Sequence, residues 1–159
     1  MRIGVVSDTH NHLPNVRRIV ALFNAAGVDR VVHTGDVTQA KTLEVLAALE
    51  APLVGVFGNN DERSALAAAA ARTGARIVEP PLVLEWAARR LVVVHDPREL
   101  DDVTGGYDVA LHGHDHRLVI ERRSGSLVFN PGECAGHLVG HNAVGIIDLA
   151  TLEPEIVRF

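Results

Sequence analysis

The sequence has a single cysteine, no long apolar run and no excess of positive charge, and each absence excludes a class of protein. The lone Cys134 rules out an intrachain disulfide and is typical of a reducing compartment. No apolar run approaches the roughly 18 residues that cross a membrane, and the strand-like residues 1–8 are interrupted too soon for a signal peptide. A formal net charge of −5 leaves no broad basic surface for nucleic acid. We therefore expect a cytoplasmic protein.

The composition is instead that of a chain that folds around an apolar core. The sequence has 159 residues, of which 47% are hydrophobic, and its charges are scattered. This pattern argues against disorder. The length predicts one domain, residues 1–159, that buries on the order of 70% of the surface of the unfolded chain.

Strands and helices alternate in the first half of the sequence. Short β-branched runs predict strands at residues 3–7, 31–33 and 53–57. Apolar residues at helical spacing predict helices at residues 15–26, 42–49 and 62–72. The alternation predicts a parallel sheet with right-handed crossovers.

The second half is rich in strands. Two pairs of apolar runs flank turn residues and predict hairpins, 82–86 with 91–95 and 118–121 with 127–130. Further strands are predicted at residues 109–112, 143–148 and 155–158. A mostly parallel sheet joined to this second half predicts an α/β protein with two sheets packed face to face and helices outside.

Polar residues collect where the predicted strands end. They are Asp8, His10, Asp36, Asn59, His95, His114 and His116. Because ligands bind beyond the carboxyl ends of strands in open α/β sheets, we expect these loops to converge on one edge. The Gly-Asp and Gly-Asn pairs alone are ordinary turn residues, so the joint order carries the information. Asp and His together form a donor set suited to Mn, Fe, Co, Ni or Zn.

The order of these motifs resembles that of the calcineurin-like metallophosphoesterase superfamily. The motifs are, in chain order, Asp-x-His, Gly-Asp, Gly-Asn-x-Asp, His and Gly-His-x-His. Residues 7–15, 58–61 and 130–134 resemble its small single-domain bacterial and archaeal phosphodiesterases. The resemblance covers nearly the whole chain. It implies a four-layer α/β/β/α sandwich, in which two mixed β-sheets pack face to face with helices outside.

The resemblance also implies a binuclear metal site. Asp8, His10 and His116 would bind the first ion, and Asn59, His95 and His114 the second. Asp36 would bridge two divalent transition-metal ions, Mn²⁺ or Ni²⁺ by resemblance, with Fe, Co and Zn left open. A bridging carboxylate suits ions about 3.5–4 Å apart, the spacing used for in-line phosphoryl displacement.

The function that follows is hydrolysis of a small phosphodiester or nucleotide-like substrate. Asp36, Asn59 and His114 would act around a metal-bridging hydroxide that attacks phosphorus in line. Two divalent ions, two carboxylates and one hydroxide leave a site of about +1, which attracts an anionic phosphate. Two alternatives remain open, a non-catalytic metal-binding scaffold of the same fold and a phosphomonoesterase. The resemblance also suggests a homo-oligomer, a dimer or larger.

Asn60 and Asp96 depart from the pattern of the family. Asn60 stands where serine/threonine phosphatases have a histidine near the leaving group, and an amide cannot act as a general acid. We therefore expect slow turnover and a preference for good leaving groups. Asp96 and Pro97 follow His95, where relatives commonly have glycine and then a polar residue, which leaves the shape of this loop open.

Several other polar residues near these motifs are expected to have structural roles. His12 is either an exposed loop residue or a substrate contact, and Asp61 is expected to hold nearby backbone or a ligand. His33 and His112 are expected to be buried and hydrogen-bonded, with an orienting role left open for His112. His137 and His141 are expected in a surface loop, with a place at the rim of a pocket as the alternative. Cys134 is expected to be a buried thiol that does not act as a nucleophile.

Overall fold

The computed structural model describes residues 1–137 and 140–159 of the chain. The helices are α1 (Leu13–Ala26), α2 (Ala40–Leu46) and α3 (Arg63–Thr73), with a 3-10 helix at Pro97–Asp102. The strands are β1 (Arg2–Val6), β2 (Arg30–His33), β3 (Leu53–Val56), β4 (Arg76–Val78), β5 (Leu82–Trp86), β6 (Arg89–Val93), β7 (Val109–Leu111), β8 (Leu118–Arg123), β9 (Ser126–Pro131), β10 (Ala143–Asp148) and β11 (Glu153–Arg158). Among the described residues, no helix combines the length and apolar character needed to cross a membrane.

The strands form two mixed sheets, as predicted. The first has the order β11-β10-β1-β2-β3-β4, with β1 to β4 parallel and the last two strands antiparallel to β1 and to each other. The second has the order β5-β6-β7-β9-β8. Its inner strands β6, β7 and β9 are parallel, and each edge strand is antiparallel to its neighbour. Within each sheet, the parallel strands therefore have their carboxyl ends on the same side, where the loops that follow them lie.

The buried apolar residues separate the layers. Val16, Ile19 and Phe23 of α1 pack on the outer face of the first sheet. A second cluster, which includes Ile3 of β1 and Phe129 of β9, fills the space between the sheets. A smaller third cluster lies on the outer face of the second sheet, where Leu100 of the 3-10 helix packs on β6, β7 and β9. The fourth layer of the sandwich is thus a single short helix.

Several elements differ from the sequence prediction in their turn or length, and the structure also shows which sheet the last two predicted strands join. The hairpin between β5 and β6 turns at Ala87 and Ala88, both with positive φ, although this turn usually carries Asn or Gly. The α-helix predicted at 42–49 ends at Leu46, because residues 48 and 49 donate to carbonyls three positions back. Strand β4 has only three residues, too few for a periodic signal. Strands β10 and β11 return to the edge of the first sheet.

Two phenylalanine rings lie over glycines of neighbouring strands and set the spacing of the layers. A Cβ on Gly4 of β1 would lie 2.7 Å from the ring of Phe23 in the helical layer. A Cβ on Gly145 of β10 would lie 2.3 Å from Cζ of Phe129 in the second sheet. Both rings are fully buried. The close approach of each ring therefore requires a residue without a side chain.

We expect Gly145→Ala to lower the free energy of unfolding by about 1–3 kcal/mol, because the added methyl overlaps the Phe129 ring in a close-packed interior. The measurement is urea-induced unfolding followed by circular dichroism. Combining Gly145→Ala with Phe129→Leu should destabilise by less than the sum of the single variants. Strict additivity would show that the ring contact does not limit position 145.

Candidate metal centre

Both sheets contribute side chains to one edge of the sandwich. The loop after β1 carries Asp8 and His10, the loop after β2 carries Asp36, and the loop after β3 carries Asn59. His95 follows β6, and His114 and His116 follow β7. Backbone hydrogen bonds join these loops. The amide of His10 donates to the Asp36 carbonyl at 3.0 Å, and the amide of Gly113 donates to the His95 carbonyl at 3.0 Å. The predicted convergence of the seven residues is therefore observed.

The first cluster contains Asp8, His10 and His116. The Nε2 atoms of His10 and His116 face each other at 3.2 Å. Asp8 Oδ1 lies 3.6 Å from Nε2 of His116 and 3.9 Å from Nε2 of His10. One ligand atom from each residue lies within 4.8 Å of the other two, so the three can share one metal ion.

The second cluster contains Asn59, His95 and His114. Asn59 Oδ1 lies 3.0 Å from Nε2 of His95 and 3.1 Å from Nδ1 of His114. An amide oxygen beside two imidazole nitrogens is again a mixed donor set for a transition metal. Because Asn59 is neutral, this cluster carries less ligand charge than the first.

Asp36 lies between the clusters. Its Oδ2 atom is 3.4 Å from Nε2 of His10 in the first cluster and 3.5 Å from Nε2 of His95 in the second. The side chain is 2% exposed. One buried oxygen is therefore within reach of both donor sets.

Further hydrogen bonds orient the donors. The Thr34 carbonyl accepts from Nδ1 of His95 at 2.9 Å, which leaves Nε2 directed at Asp36 and Asn59. Glu133 Oε2 lies 3.0 Å from Nδ1 of His116, on the other side of the ring from Asp8. Asp8 accepts from the hydroxyl of Ser7 and, at 3.1 Å, from the amide of His114.

The loop after His95 has a defined shape that supports the site. Asp96 caps the 3-10 helix by accepting from the amide of Arg98 at 2.9 Å. Glu99 Oε2 accepts from the amides of His95 and Asp96 at 3.1 and 3.2 Å. The Asp-Pro pair that departs from the family pattern thus begins a helix that holds the backbone of His95.

The backbone of the site is strained. Asp8, His10 and Asp36 have φ values of +50°, +40° and +57°, and His114 and His116 have values of +72° and +55°. This left-handed region is costly for residues other than glycine, by about 1–3 kcal/mol each, and such strain clusters at functional sites. The surrounding structure therefore has to hold these five residues in place.

Glycines give the ligand loops room to approach each other. A Cβ on Gly113 would lie 2.1 Å from the Ser7 hydroxyl, and one on Gly58 would lie 2.2 Å from Oδ1 of Asp36. The Gly-His and Gly-Asn pairs of the sequence motifs are therefore needed for contact between loops as well as for turns.

The charges at the site are compatible with a bound cation. Burial raises the pKa of Asp8 despite the hydrogen bond from Ser7. Burial acts on Asp36 in the same direction, but hydrogen bonds from His95 and Asn60 hold its pKa below the usual range. Burial lowers the pKa of His95, whereas the Asp36 carboxylate and the Thr34 carbonyl raise it to about 9. The donor set and the buried carboxylates thus fit divalent ions, with protons as their substitutes in the protein alone.

The residues predicted to lie around the ligands mostly have structural roles. Asp61 is buried and accepts from the amides of Thr38 and Gly58 at 2.6 and 2.7 Å, which confirms that it holds backbone. His12 caps α1, accepting from the amide of Asn15 at 3.4 Å. These contacts fasten the loops that follow β1, β2 and β3.

Asn60, His112 and Cys134 complete this group. Asn60 donates to Asp36 from its backbone and side-chain nitrogens at 2.9 and 2.8 Å, so it orients the central carboxylate. His112 is buried, and its Nδ1 lies 3.2 Å from the carbonyl of Gly113. Cys134 is fully buried, and burial raises the pKa of its thiol, which confirms the expectation of an unreactive cysteine.

Sequence reasoning missed the role of Glu133. Its side chain is 1% exposed and contacts Nδ1 of His116. The signal available was its place in the segment Asn130–Cys134, which contributed only to the family resemblance. A buried carboxylate paired with a metal-binding histidine is a recurrent arrangement that fixes the ring and its tautomer.

Comparison with known proteins agrees with the fold and the motifs. The model of the calcineurin-like phosphoesterase superfamily domain matches residues 1–152. The chain is 35% identical to phosphodiesterase MJ0936 of Methanocaldococcus jannaschii over 154 residues, covering 93% of each protein. It is 27% identical to phosphodiesterase YfcE of Escherichia coli (strain K12) over 154 residues, covering 83% of this chain and 78% of YfcE. The structure of an archaeal phosphodiesterase aligns over 100% of both chains with 33% identity and a TM-score of 0.92.

We expect Glu133→Gln to weaken binding of one Mn²⁺ ion by about 10- to 100-fold, because an amide orients the His116 ring less strongly than a carboxylate. The measurement is calorimetric titration of EDTA-treated protein with Mn²⁺. Glu155→Gln, at an exposed ion pair with Arg2, is the matched control and should bind Mn²⁺ as the wild type does. Unchanged affinity in Glu133→Gln would contradict the assigned role.

The burial of His33 should make the stability of the folded protein depend on pH. It is fully buried, with Nδ1 accepting from the amide of Gly35 at 3.2 Å and Nε2 lying 3.1 Å from the Thr9 hydroxyl. Burial lowers its pKa from 6.5 to about 3, so the folded protein holds the neutral ring while the unfolded chain becomes protonated below 6.5. In that window His33 should remove about 1.4 kcal/mol of stability for each pH unit of acidification.

The measurement is urea unfolding of EDTA-treated protein at several pH values between about 7 and 4. In His33→Asn the amide oxygen can still accept from Gly35 and cannot titrate. This variant should be less stable at neutral pH but should lose stability more slowly on acidification. An equal slope in the two proteins would place the acid sensitivity elsewhere.

Proposed function

This chain belongs to the calcineurin-like phosphoesterase superfamily, and we propose that it is a phosphoric ester hydrolase, specifically a binuclear metal-dependent phosphodiesterase. The observation that carries the proposal is the position of Asp36. Its Oδ2 atom lies 3.4 and 3.5 Å from one histidine nitrogen of each cluster. A single carboxylate between two donor sets is the arrangement that a two-metal site for phosphoryl displacement requires.

We assign the ligands as the clusters suggest. Asp8, His10 and His116 would hold the first ion, and Asn59, His95 and His114 the second. Asp36 would serve both. Mn²⁺ and Ni²⁺ are the proposed ions, and Fe, Co or Zn would suit the same nitrogen and oxygen donors. Ions bound here supply hydroxide at neutral pH and neutralise the charge on the phosphoryl oxygens.

The protein's own groups orient the reaction. Asp36 lies between the two clusters, and Asn59 contacts His114 in the second, so these three residues would flank a phosphate attacked in line by hydroxide. Asn60 donates both of its nitrogens to Asp36, so it holds this carboxylate and gives no proton to the leaving group. A substrate whose leaving group departs as a stable anion is therefore favoured.

Two other functions compete with this proposal. A non-catalytic metal-binding scaffold would not need seven donor residues at an accessible edge of the sheets. In this chain the donors are accessible, because Asn59 is exposed and His10, His114 and His116 are partly exposed. A phosphomonoesterase is disfavoured by Asn60, which lies where a general acid would act. The relatives MJ0936 and YfcE are both phosphodiesterases. We further propose a small phosphodiester or nucleotide-like substrate, a cytoplasmic location and a homo-oligomer of two or more copies.

The test compares bis(4-nitrophenyl) phosphate with 4-nitrophenyl phosphate in the presence of Mn²⁺. We expect faster hydrolysis of the diester and its loss after EDTA treatment. Asp36→Asn and His116→Ala should each lower kcat/KM by at least about a hundredfold, because each removes a charge or donor worth several kcal/mol in the transition state.

The control is Asp101→Asn, which makes the same change as Asp36→Asn at an exposed position of the 3-10 helix. It should keep the wild-type rate. Faster cleavage of the monoester would favour the phosphomonoesterase. If the protein binds metal but hydrolyses neither ester with Mn, Ni, Fe, Co or Zn, the scaffold function is favoured.

A further inference from the structure

His137 lies in an exposed loop, as its sequence context predicts, and it also lies beside the first ligand cluster. Its ring centroid is 5.5 Å from that of His116, and the two rings are parallel to within 3°. The centroid is also 5.5 Å from that of His10, at an interplanar angle of 39°. The imidazole of His137 is thus a third ring packed on the two histidines of the first cluster.

Hydrogen bonds on both sides of this loop fix the position of His137. The Asn15 side chain donates to the Cys134 carbonyl at 2.8 Å and to Oδ1 of Asn142 at 3.1 Å. The amide of Gly136, directly before His137, donates to the same Asn142 oxygen at 3.0 Å. The backbone that carries the ring is therefore tied to α1 and to the start of β10.

The two sides of the His137 ring have different environments. Nδ1 lies 3.5 Å from Oε2 of Glu133, the carboxylate that also contacts His116. The side chain is nevertheless 61% exposed. Within the described residues, the ring has no aromatic neighbour besides His10 and His116. More than half of this side chain is therefore accessible beside the first cluster, on a ring that lies parallel to a proposed metal ligand.

We propose that His137 is a stacking surface for a flat, aromatic substituent of the substrate, an aryl group or a nucleobase esterified to the phosphate. The proposal rests on the proposed function, because it assumes a phosphodiester held at the clusters. A substituent on a phosphorus atom beside the first cluster passes the ring that flanks His10 and His116. Stacking on an aromatic side chain is tolerant of the identity of the base, since every base has a π-face.

The experiment separates the retained substituent from the leaving group. Bis(4-nitrophenyl) phosphate and methyl 4-nitrophenyl phosphate release the same phenolate but retain an aryl or a methyl group. The ratio of their kcat/KM values, with Mn²⁺, reports preference for the retained aryl group. A binding readout without turnover is the ratio of calorimetric affinities of Mn²⁺-loaded protein for phenylphosphonate and methylphosphonate.

We expect His137→Ala to lower both ratios by about five- to tenfold, and His137→Phe to keep them within about twofold of the wild type, because phenylalanine retains the ring. Calorimetric Mn²⁺ affinity should be unchanged in both variants. The control is Arg123→Ala, which truncates an exposed side chain at the end of β8 away from His116, and it should keep both ratios.

Each other outcome overturns one of the two proposals. Unchanged ratios in His137→Ala show that the ring does not contact the substituent. An equal loss in His137→Ala and His137→Phe shows that a ring nitrogen is required, which excludes stacking as the cause. If the wild type hydrolyses neither diester, the proposed function fails, and the phosphonate affinities still decide the role of His137.

Discussion

The metal centre depends on keeping the carboxylate of Asp36 charged and buried where the two sheets meet. A buried carboxylate without compensating charge is strongly destabilising. Here the compensation comes from two nitrogens of Asn60 and from the rings of His10 and His95, which all reach the same side chain. Positive charge therefore has to be supplied between the clusters, by protons in the protein alone or by bound cations. A cation bound between the clusters would meet this need and would also be within reach of the imidazole and amide donors around Asp36.

The strained backbone is the second part of the same arrangement. Five of the seven donor residues have a left-handed conformation, which points successive side chains of a short loop into the site. Such strain persists only where other contacts determine the conformation. Those contacts are the hydrogen bonds between loops and the glycines at 58 and 113, which allow the loops to touch. The strained backbone of these residues lowers the stability of the folded protein, but it holds the donor atoms in position before a ligand binds.

Periodicity in the sequence predicted most of the fold because most elements have a local cause. The parallel strands and the two-sheet architecture followed from β-branched runs, and convergence of the ligand loops followed from the direction of those strands. The hairpin of β5 and β6 was predicted with a turn at residues 87–90, and the turn is shorter because the register pairs Trp86 with Arg89 and leaves only Ala87 and Ala88 between the strands. The contacts of Glu133 and His137 with His116 could not be predicted, because no spacing in the sequence encodes them.

Neither sheet contains a complete site. In the first cluster Asp8 and His10 follow a strand of the first sheet and His116 follows a strand of the second, and the second cluster is divided in the same way. The apolar cluster between the sheets therefore sets the distance between the donors, so packing would determine the geometry of the proposed metal centre. Linkage makes the reverse true as well. An ion that binds only when both sets of loops are in place stabilises the packed sheets, by about 2.7 kcal/mol at a free concentration of 100 times its Kd. In this fold the interior between the sheets and the proposed metal centre thus support each other.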